Sequence, residues 1–323
     1  MNARTNTMNW RGLFKTTGKF GLLTAITFWA LGEPSASSSP ATTPSGSEGG
    51  QPAVKTNPLK APAQGSIPVA FVISKGAQVI DFTGPWEVFQ DVMVPGRTDH
   101  PFHLYTVSES TSPIHASGGM KIVPDYTLGN APAPKVIVIP AQTAPSEATL
   151  EWIRKSTKST DVTMSVCTGA FVLAKTGLLS GKAATTYHGA FVPFANEFPD
   201  IRLKRGARFV EDGNLATAGG LSSGIDLALR VVERYFGREV AQKTAYDMEY
   251  QGVGWMNPNS NQVYAATPLS TAEHPLCAVC GMDVDPATAP KSVFKGATYY
   301  FCSDDDKKTF DAAPDKFTDK KSL

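Results

Sequence analysis

Short apolar runs that alternate with segments of helical spacing constrain the fold of residues 66–255 more than any other feature. The runs are Val69–Ile73, Phe102–Val107, Lys135–Ile139 and Val162–Val166. Continuous apolar runs are typical of strands that are buried on both faces of a parallel sheet. Strands that alternate with helices are joined by right-handed crossovers. The sequence therefore predicts a doubly wound, mostly parallel α/β sheet for residues 67–255.

The connecting segments carry signals for helices and turns. Pro85 predicts the first turn of a helix, and Trp86 and Phe89 then repeat at helical spacing toward a core. Further helices are expected at 146–158, 170–175, 223–236 and 238–250, and hairpins at 113–128 and 208–218. These segments supply the layers that cover the sheet.

Cys167 lies at the carboxyl end of a predicted strand, directly before a helix. Ligands of doubly wound sheets bind at this edge, and a free helix amino end lowers the pKa of a thiol placed there. Asp81 is expected in a strand-to-helix loop at the same edge, while Thr168 and Gly169 leave room for a substrate. A buried structural cysteine is the alternative. The position beside Asp81 favours a nucleophile on a strand-to-helix elbow.

The charge balance gives no sign of a nucleic-acid partner. The chain has 323 residues, with 30 Lys and Arg against 29 Asp and Glu, and a net charge of +1. A basic patch or stripe is the usual footprint of nucleic-acid binding, and none is evident. We therefore expect no nucleic-acid partner, and the ligand-binding edge of the sheet instead indicates a small-molecule substrate.

The N-terminal segment resembles an export signal. Basic residues precede the apolar run Phe20–Leu31, and small residues follow it. Residues 1–32 are therefore expected to direct export to a bacterial periplasm, with an uncleaved membrane anchor as the alternative. Residues 33–66 are rich in Pro, Ser, Thr and Gly. Such a composition predicts a disordered tether.

The C-terminal region contains three of the four cysteines. After a polar, proline-containing linker at 256–272, Cys277 and Cys280 form a C-x-x-C knuckle, and Cys302 follows an aromatic strand. Three thiolates with this spacing suit a soft metal such as zinc or copper. A disulfide between two of them is the alternative in an oxidising compartment. Residues 273–323 are thus expected to form a small α+β metal-binding module.

Three motifs in order are similar to those of the ThiJ/PfpI family, which belongs to the class I glutamine amidotransferase-like superfamily. They are DFTGPWEVF at 81–89, SVCTGAFVLAKTGLLSGKAATTYH at 165–188 and DGNLATAGGLSSGIDLALRVVE at 212–233. The resemblance implies a flavodoxin-like fold with a nucleophile elbow, needing no cofactor. Within the family, the chain resembles isonitrile hydratases and the ligand domain of amidase-like transcriptional regulators.

The resemblance to isonitrile hydratases implies roles for individual residues. Cys167 matches the nucleophile, Asp81 the acidic residue that handles protons, and Thr168 the neighbouring hydroxyl. Backbone N–H groups of Thr168 and of the 140–143 loop are expected to hold developing negative charge. Ala141 and Gln142 stand where the family has two glycines. His188 is shifted by one position from the hydratase histidine, so that a Cys–His pair and a packing role both stay open.

The C-terminal stretch 274–318 closely resembles the YHS domain. The match is carried by CGMDV, KGATYYFCS and the trailing aromatic residues. Asp306 stands where the usual motif has a fourth cysteine. A carboxylate completes a tetrahedral zinc site but suits Cu(I) poorly. The resemblance thus implies a metal site at Cys277, Cys280, Cys302 and Asp306, with Asp304 and Asp305 as alternatives for the carboxylate ligand.

Together these features predict an exported, cysteine-dependent hydratase or hydrolase-like enzyme that acts on a small electrophilic carbon compound such as an isonitrile. A small-ligand and metal binding or sensing protein is the second hypothesis. A stress protein that acts on aldehydes or glycated products is the third, as in other branches of the superfamily. The resemblance also implies a homodimer. Contact with a membrane is expected only through the N-terminal segment.

Overall fold

The computed structural model describes residues 57–143, 145–266, 270–271 and 273–318. The predicted export signal at 1–32 and most of the predicted tether lie outside the described residues. None of the helices within the described ranges combines the length and the apolar character that crossing a bilayer requires.

A seven-stranded sheet forms the centre of the main domain. Strands β1 to β11 are Ile67–Val72, Phe102–Ser108, Ile114–His115, Lys121–Ile122, Tyr126–Thr127, Val136–Ile139, Val162–Val166, Ala183–Ala184, Arg202–Leu203, Phe209–Asp212 and Leu215–Ala218. The sheet order is β10-β11-β7-β6-β1-β2-β5, and every pair is parallel except β10 with β11. β3 and β4 form a separate antiparallel hairpin, and β8 pairs with β9.

Helices cover both faces of this sheet. Helices α1 to α6 are Val79–Gln90, Glu147–Thr157, Gly169–Lys175, Phe191–Glu197, Ser223–Phe236 and Arg238–Asp247. One apolar cluster joins the sheet to α1, α5 and α6, and a second joins it to α2, α3 and α4. The predicted flavodoxin-like, doubly wound fold is confirmed.

Glycines permit the close approach of helices to the sheet edge where Cys167 lies. A Cβ atom at Gly169 would lie 2.2 Å from the carbonyl oxygen of Ile139, so α3 begins in contact with the β6 backbone. A Cβ atom at Gly224 would lie 2.9 Å from the Val166 side chain, which brings α5 onto β7. Side chains at these two positions would push the helices away from the site.

Some boundaries differ from those predicted. Helix α1 begins at Val79, so Asp81 lies in its first turn rather than in a loop, and Pro85 lies inside the helix. Residues 57–66, predicted as part of the disordered tether, are hydrogen-bonded to the domain: Leu59 N–H donates to the Arg234 carbonyl at 2.7 Å, and Arg97 donates to the Pro62 carbonyl at 2.9 Å. Backbone groups of the tether find partners that its composition does not reveal.

The first part of the predicted linker packs against the main domain. Arg208 N–H donates to the Pro258 carbonyl at 2.6 Å, and Asn261 N–H donates to the Gly206 carbonyl at 3.1 Å. Just before it, Trp255 is buried and its N–H donates to Asp226 at 2.9 Å. The chain therefore leaves the sheet along a fixed path.

A small α+β module follows. Strands β12 (Lys291–Phe294) and β13 (Ala297–Tyr300) form an antiparallel hairpin, and helices α7 (Asp304–Ala312) and α8 (Asp315–Thr318) come after it. Its buried residues, among those described, are Pro275, Cys277, Phe301 and Phe310. The Ser303 hydroxyl caps α7 by accepting from Asp306 N–H at 3.1 Å. This cap fixes Asp306 in the first turn of the helix.

Candidate active site and metal centre

Cys167 occupies a sharp turn between β7 and α3. Its φ of +57° lies in the left-handed region, which is unfavourable for a residue with a Cβ atom. Two hydrogen bonds hold this conformation: Cys167 N–H donates to the Gly219 carbonyl at 2.9 Å, and the Thr186 hydroxyl donates to the Cys167 carbonyl at 2.9 Å. The side chain is 8% exposed. Strained backbone of this kind is typical of functional sites.

Asp81 is fully buried beside this turn. Its Oδ2 accepts a hydrogen bond from Ala141 N–H at 3.0 Å, whereas its buried Oδ1 has no partner among the described residues. Burial raises the pKa of Asp81 to about 7, and the Ala141 hydrogen bond opposes the shift. An unpartnered buried carboxylate oxygen calls for a proton or a donor from outside the fold.

The pKa of the Cys167 thiol is raised to about 11, first by burial and then by the negative charge of Asp81. Hydrogen bonds from Leu221 N–H, from Thr168 N–H and from the Thr168 hydroxyl lower it only in part. The expected net lowering of this pKa is therefore wrong. The N–H group of Thr168 at the start of α3 does lower it, but burial and the charge of Asp81 raise it by more.

The two groups together can move one proton. Near neutral pH the thiol keeps its proton, while Asp81 is close to half ionised. An ionised Asp81 can take the thiol proton at the moment the sulfur forms a bond, and can then return it. Cys167 therefore does not have to be ionised before it reacts.

One of the expected donors for developing negative charge reaches the Cys167 sulfur, and a second donor comes from a loop that the sequence does not predict. Ala141 N–H is engaged by Asp81, and Thr143 N–H donates to the Lys75 carbonyl at 3.0 Å. These two N–H groups of the 140–143 loop already have partners and cannot hold negative charge on a substrate, which corrects the prediction for them. Thr168 N–H, which was predicted, and Leu221 N–H, which was not, both reach the sulfur. The Gly219-Gly220 pair before Leu221 was the sequence signal for such a loop.

His188 has a packing role in this structure. Its exposed ring lies 4.7 Å from the ring of Tyr264 in a stacked arrangement, and 4.4 Å from the ring of Tyr187. The described residues contain no hydrogen bond between His188 and Cys167. The geometry thus gives no support to a Cys–His pair.

A cleft of about 440 Å³ opens beside the elbow. From the main domain it is lined by Gln142, Pro145, Thr168, Phe171, Val172, Lys175, Tyr187, Gly189, Ala190 and Pro193. Cys280 and Met282 of the C-terminal module line it as well. Its size and its largely apolar lining suit a small organic molecule.

The four predicted metal ligands converge on one point. The ligand atoms of Cys277, Cys280, Cys302 and Asp306 all lie within 4.8 Å of one another. Asp306 Oδ2 is 3.2 Å from both Cys277 Sγ and Cys302 Sγ, and the sulfurs of Cys280 and Cys302 are 3.5 Å apart. Three sulfurs and one carboxylate oxygen at such spacings fit tetrahedral Zn²⁺. The cluster can hold a metal.

The thiols of this cluster already share protons. A hydrogen bond from Cys280 lowers the pKa of Cys277 to about 6, and the same contact raises the pKa of Cys280. Burial raises the pKa of Cys302, and its hydrogen bond to Asp306 adds to the shift. All four cysteines of the chain are free thiols in this structure. A metal would displace the shared protons, because it binds thiolates.

Comparisons with known proteins agree with both parts of the chain. The profile of the DJ-1/PfpI family matches residues 68–234, and that of the YHS domain matches residues 278–321. An isonitrile hydratase from Pseudomonas putida is 34% identical over 190 residues, which is 57% of this chain and 79% of that protein. Both resemblances noted in the sequence are thereby confirmed.

A regulator and a solved structure are also similar. The HTH-type transcriptional regulator CdhR from Pseudomonas aeruginosa is 25% identical over 65% of this chain, and the chain spans 63% of its length. The crystal structure of a ThiJ/PfpI family protein from Pseudomonas syringae superposes with a TM-score of 0.52 and 27% identity, covering 60% of this chain and 78% of that one.

Proposed function

The chain belongs to the DJ-1/PfpI family, and on that basis we propose that it is a cysteine-dependent hydratase for a small electrophilic carbon compound such as an isonitrile. Support comes from the 34% identity to an isonitrile hydratase over most of that protein's length. The family also contains regulators, so the reaction needs its own argument from the geometry.

One observation carries the proposal, namely the unpartnered Oδ1 of Asp81 beside a protonated Cys167. A buried carboxyl group with a pKa of about 7 is suited to accept and return a proton at neutral pH. A purely structural carboxylate at this depth would be fully hydrogen-bonded. The pair therefore has the properties of a nucleophile and its proton carrier.

These groups account for a balanced hydration. The Cys167 sulfur bonds to the isonitrile carbon while Asp81 takes the thiol proton and passes it to the same carbon, giving a thioimidate. Water then adds to that carbon, and Asp81 takes one proton from the water and passes it to the nitrogen, which gives a tetrahedral adduct with a hydroxyl group. The carbon–sulfur bond breaks as the hydroxyl proton of the adduct passes through Asp81 to the sulfur, which restores the thiol and releases an N-substituted formamide. Thr168 N–H and Leu221 N–H would hold the sulfur when it carries negative charge.

The test is hydration of cyclohexyl isonitrile, followed by NMR detection of the formamide. We expect turnover by the wild-type protein and its loss, by about 10³-fold or more, in Cys167→Ala and Asp81→Asn, because each substitution removes an essential proton or electron-pair donor. His115→Ala, on the separate β3–β4 hairpin, serves as control and keeps wild-type turnover. Equal rates in the wild type and Cys167→Ala would refute the mechanism.

A non-catalytic ligand sensor is the second candidate. It is favoured by the high pKa of the Cys167 thiol and by the use of Ala141 N–H as a partner of Asp81, which removes it from an oxyanion site. The same assay separates the two functions. Saturable isonitrile binding without formamide would identify a sensor.

We propose further that the protein acts in the periplasm, with zinc in its C-terminal module. Residues 1–32, with their basic start and short apolar run, support export, and the convergent Cys and Asp ligands support zinc. Cell fractionation of the full chain and of a form without residues 2–32 tests export. Elemental analysis of protein purified without chelator tests the metal. Metal-free protein with a Cys280–Cys302 disulfide would support the alternative.

A further inference from the structure

The cleft beside the elbow is built from two parts of the chain. Thr168 lines it, and the Thr168 hydroxyl also hydrogen-bonds to the Cys167 sulfur, so the cleft ends one residue from the nucleophile, which does not itself line it. On the opposite side it is bounded by Cys280 and Met282, which belong to the YHS module. A molecule that reached Cys167 through this cleft would touch the module.

Specific contacts hold the module at this place. Gly281 lies against α4, where an added Cβ atom would be 3.3 Å from Val192 Cγ2. Its φ of +75° lets the backbone between Cys280 and Met282 turn toward the cleft. The stacking of Tyr264 on His188 ties the connecting segment to the same edge. The metal-binding knuckle of the module thus lies against the main domain at α4.

Cys280 is part of both the ligand cluster and the wall of the cleft. Its sulfur is one of the four convergent ligands, 3.5 Å from Cys302 Sγ, and its side chain also lines the cleft. A metal at the cluster would fix Cys280 and, two residues later, Met282. The shape of this wall would then depend on whether the cluster is loaded.

We propose that the YHS module completes the substrate pocket of Cys167: Met282 contacts the apolar part of the reacting molecule, and metal bound at Cys280 fixes this wall. The occupant is a small electrophile with an apolar substituent, because the cleft is largely apolar and has room for a small organic molecule. The proposal requires only that Cys167 reacts with such a molecule. It does not depend on isonitriles being the substrate.

The test compares alkylation of Cys167 by iodoacetamide and by the bulkier N-benzyl iodoacetamide in zinc-loaded full-length protein, with the modified peptide identified by mass spectrometry. Met282→Trp should lower the ratio of the alkylation rates with the bulky and the small reagent by about fivefold, and Met282→Ala should raise this ratio. Val293→Trp is the matched control: Val293 is 73% exposed on the module's hairpin, and its ratio should stay at the wild-type value. An unchanged ratio in both Met282 variants would overturn the proposal.

Removing the metal tests whether bound metal fixes the wall formed by Cys280 and Met282. After EDTA treatment the wild-type ratio should rise toward that of Met282→Ala, because Cys280 and Met282 are no longer held. A ratio that does not respond to the chelator would refute control of this wall by the metal. Zinc content per chain, measured for each variant, shows whether the module is folded. Since alkylation is the readout, failure of isonitrile hydration leaves this test intact.

Discussion

Burial makes ionisation unfavourable for both Cys167 and Asp81. The sequence predicts that these two residues lie close together, because both follow strands that end at the same edge of the sheet. It does not predict their pKa values, because the burial of a side chain depends on packing by distant segments. For the same reason the sequence alone leaves two roles open for His188. Its orientation is set by Tyr264, 76 positions further along the chain.

The rate at which iodoacetamide modifies Cys167 should increase about tenfold per pH unit between pH 7 and pH 9, because a thiol with a pKa of about 11 is still mostly protonated there. Asp81→Asn should speed labelling at pH 9 severalfold, since it removes the negative charge that raises the thiol pKa. Peptide-resolved mass spectrometry measures both rates. Glu147→Gln, an exposed change, should have no effect. A plateau below pH 8 would contradict this prediction.

Asp81 should also make stability depend on pH. Its folded-state pKa of about 7 lies above the ordinary 3.8. Its contribution to the free energy of unfolding is therefore fully present below pH 3.8 and is lost as the pH rises through 7. The loss amounts to at most ~4 kcal/mol. Asp81→Asn should therefore raise the melting temperature more at pH 8 than at pH 5. Equal changes at both pH values, measured by calorimetry, would show that Asp81 ionises freely.

Helix α3 depends on a glycine for its contact with β6. Gly169→Ala would bring a Cβ atom within 2.2 Å of the Ile139 carbonyl oxygen, so either the helix or the strand must move. We expect a loss of about 3 kcal/mol or more in unfolding free energy, measured by urea titration. Gly129→Ala is the control, because its Cβ atom would meet nothing closer than 3.9 Å. Equal stability of the two variants would contradict the prediction.

The sequence predicted the kinds of elements better than their ends. Apolar runs and helical spacing marked the strands of the sheet and the helices, because each signal is local. The predicted start of α1 is wrong, because Pro85, which is typical of a first turn, lies inside the helix. The docking of 57–66 and of 257–266 was missed because both segments are polar and attach through backbone groups. Side-chain patterns carry no information on such contacts.

The C-terminal module should require metal to stay folded. The buried residues among the described part of the module are few, namely Pro275, Cys277, Phe301 and Phe310, and small domains with so little core need a metal or another cross-link to stay folded. Treatment with EDTA should abolish protection of backbone amides in 274–318 from hydrogen exchange. Protection in β1 and β6 should be unchanged, because the main domain has its own core.

Substitution of Asp306 tests whether its carboxylate is a metal ligand. Asp306→Ala should weaken Zn²⁺ binding by about 10²-fold in competition with a chromophoric chelator, whereas Asp306→Cys should keep it and favour Cu(I). Asp305→Ala, a neighbouring exposed change, should leave the affinity as it is. Equal zinc affinity in Asp306→Ala and the wild type would remove Asp306 from the site.

The hydrogen-bonded path of residues 257–266 has a consequence for how the molecule behaves on dilution. Because Pro258 and Asn261 are tied to the main domain, the module begins its docking from an anchored end rather than from a freely diffusing one. The two halves of the cleft meet at an effective concentration set by the covalent chain. Because both parts that line the cleft belong to one chain, the meeting of these two parts does not depend on the protein concentration.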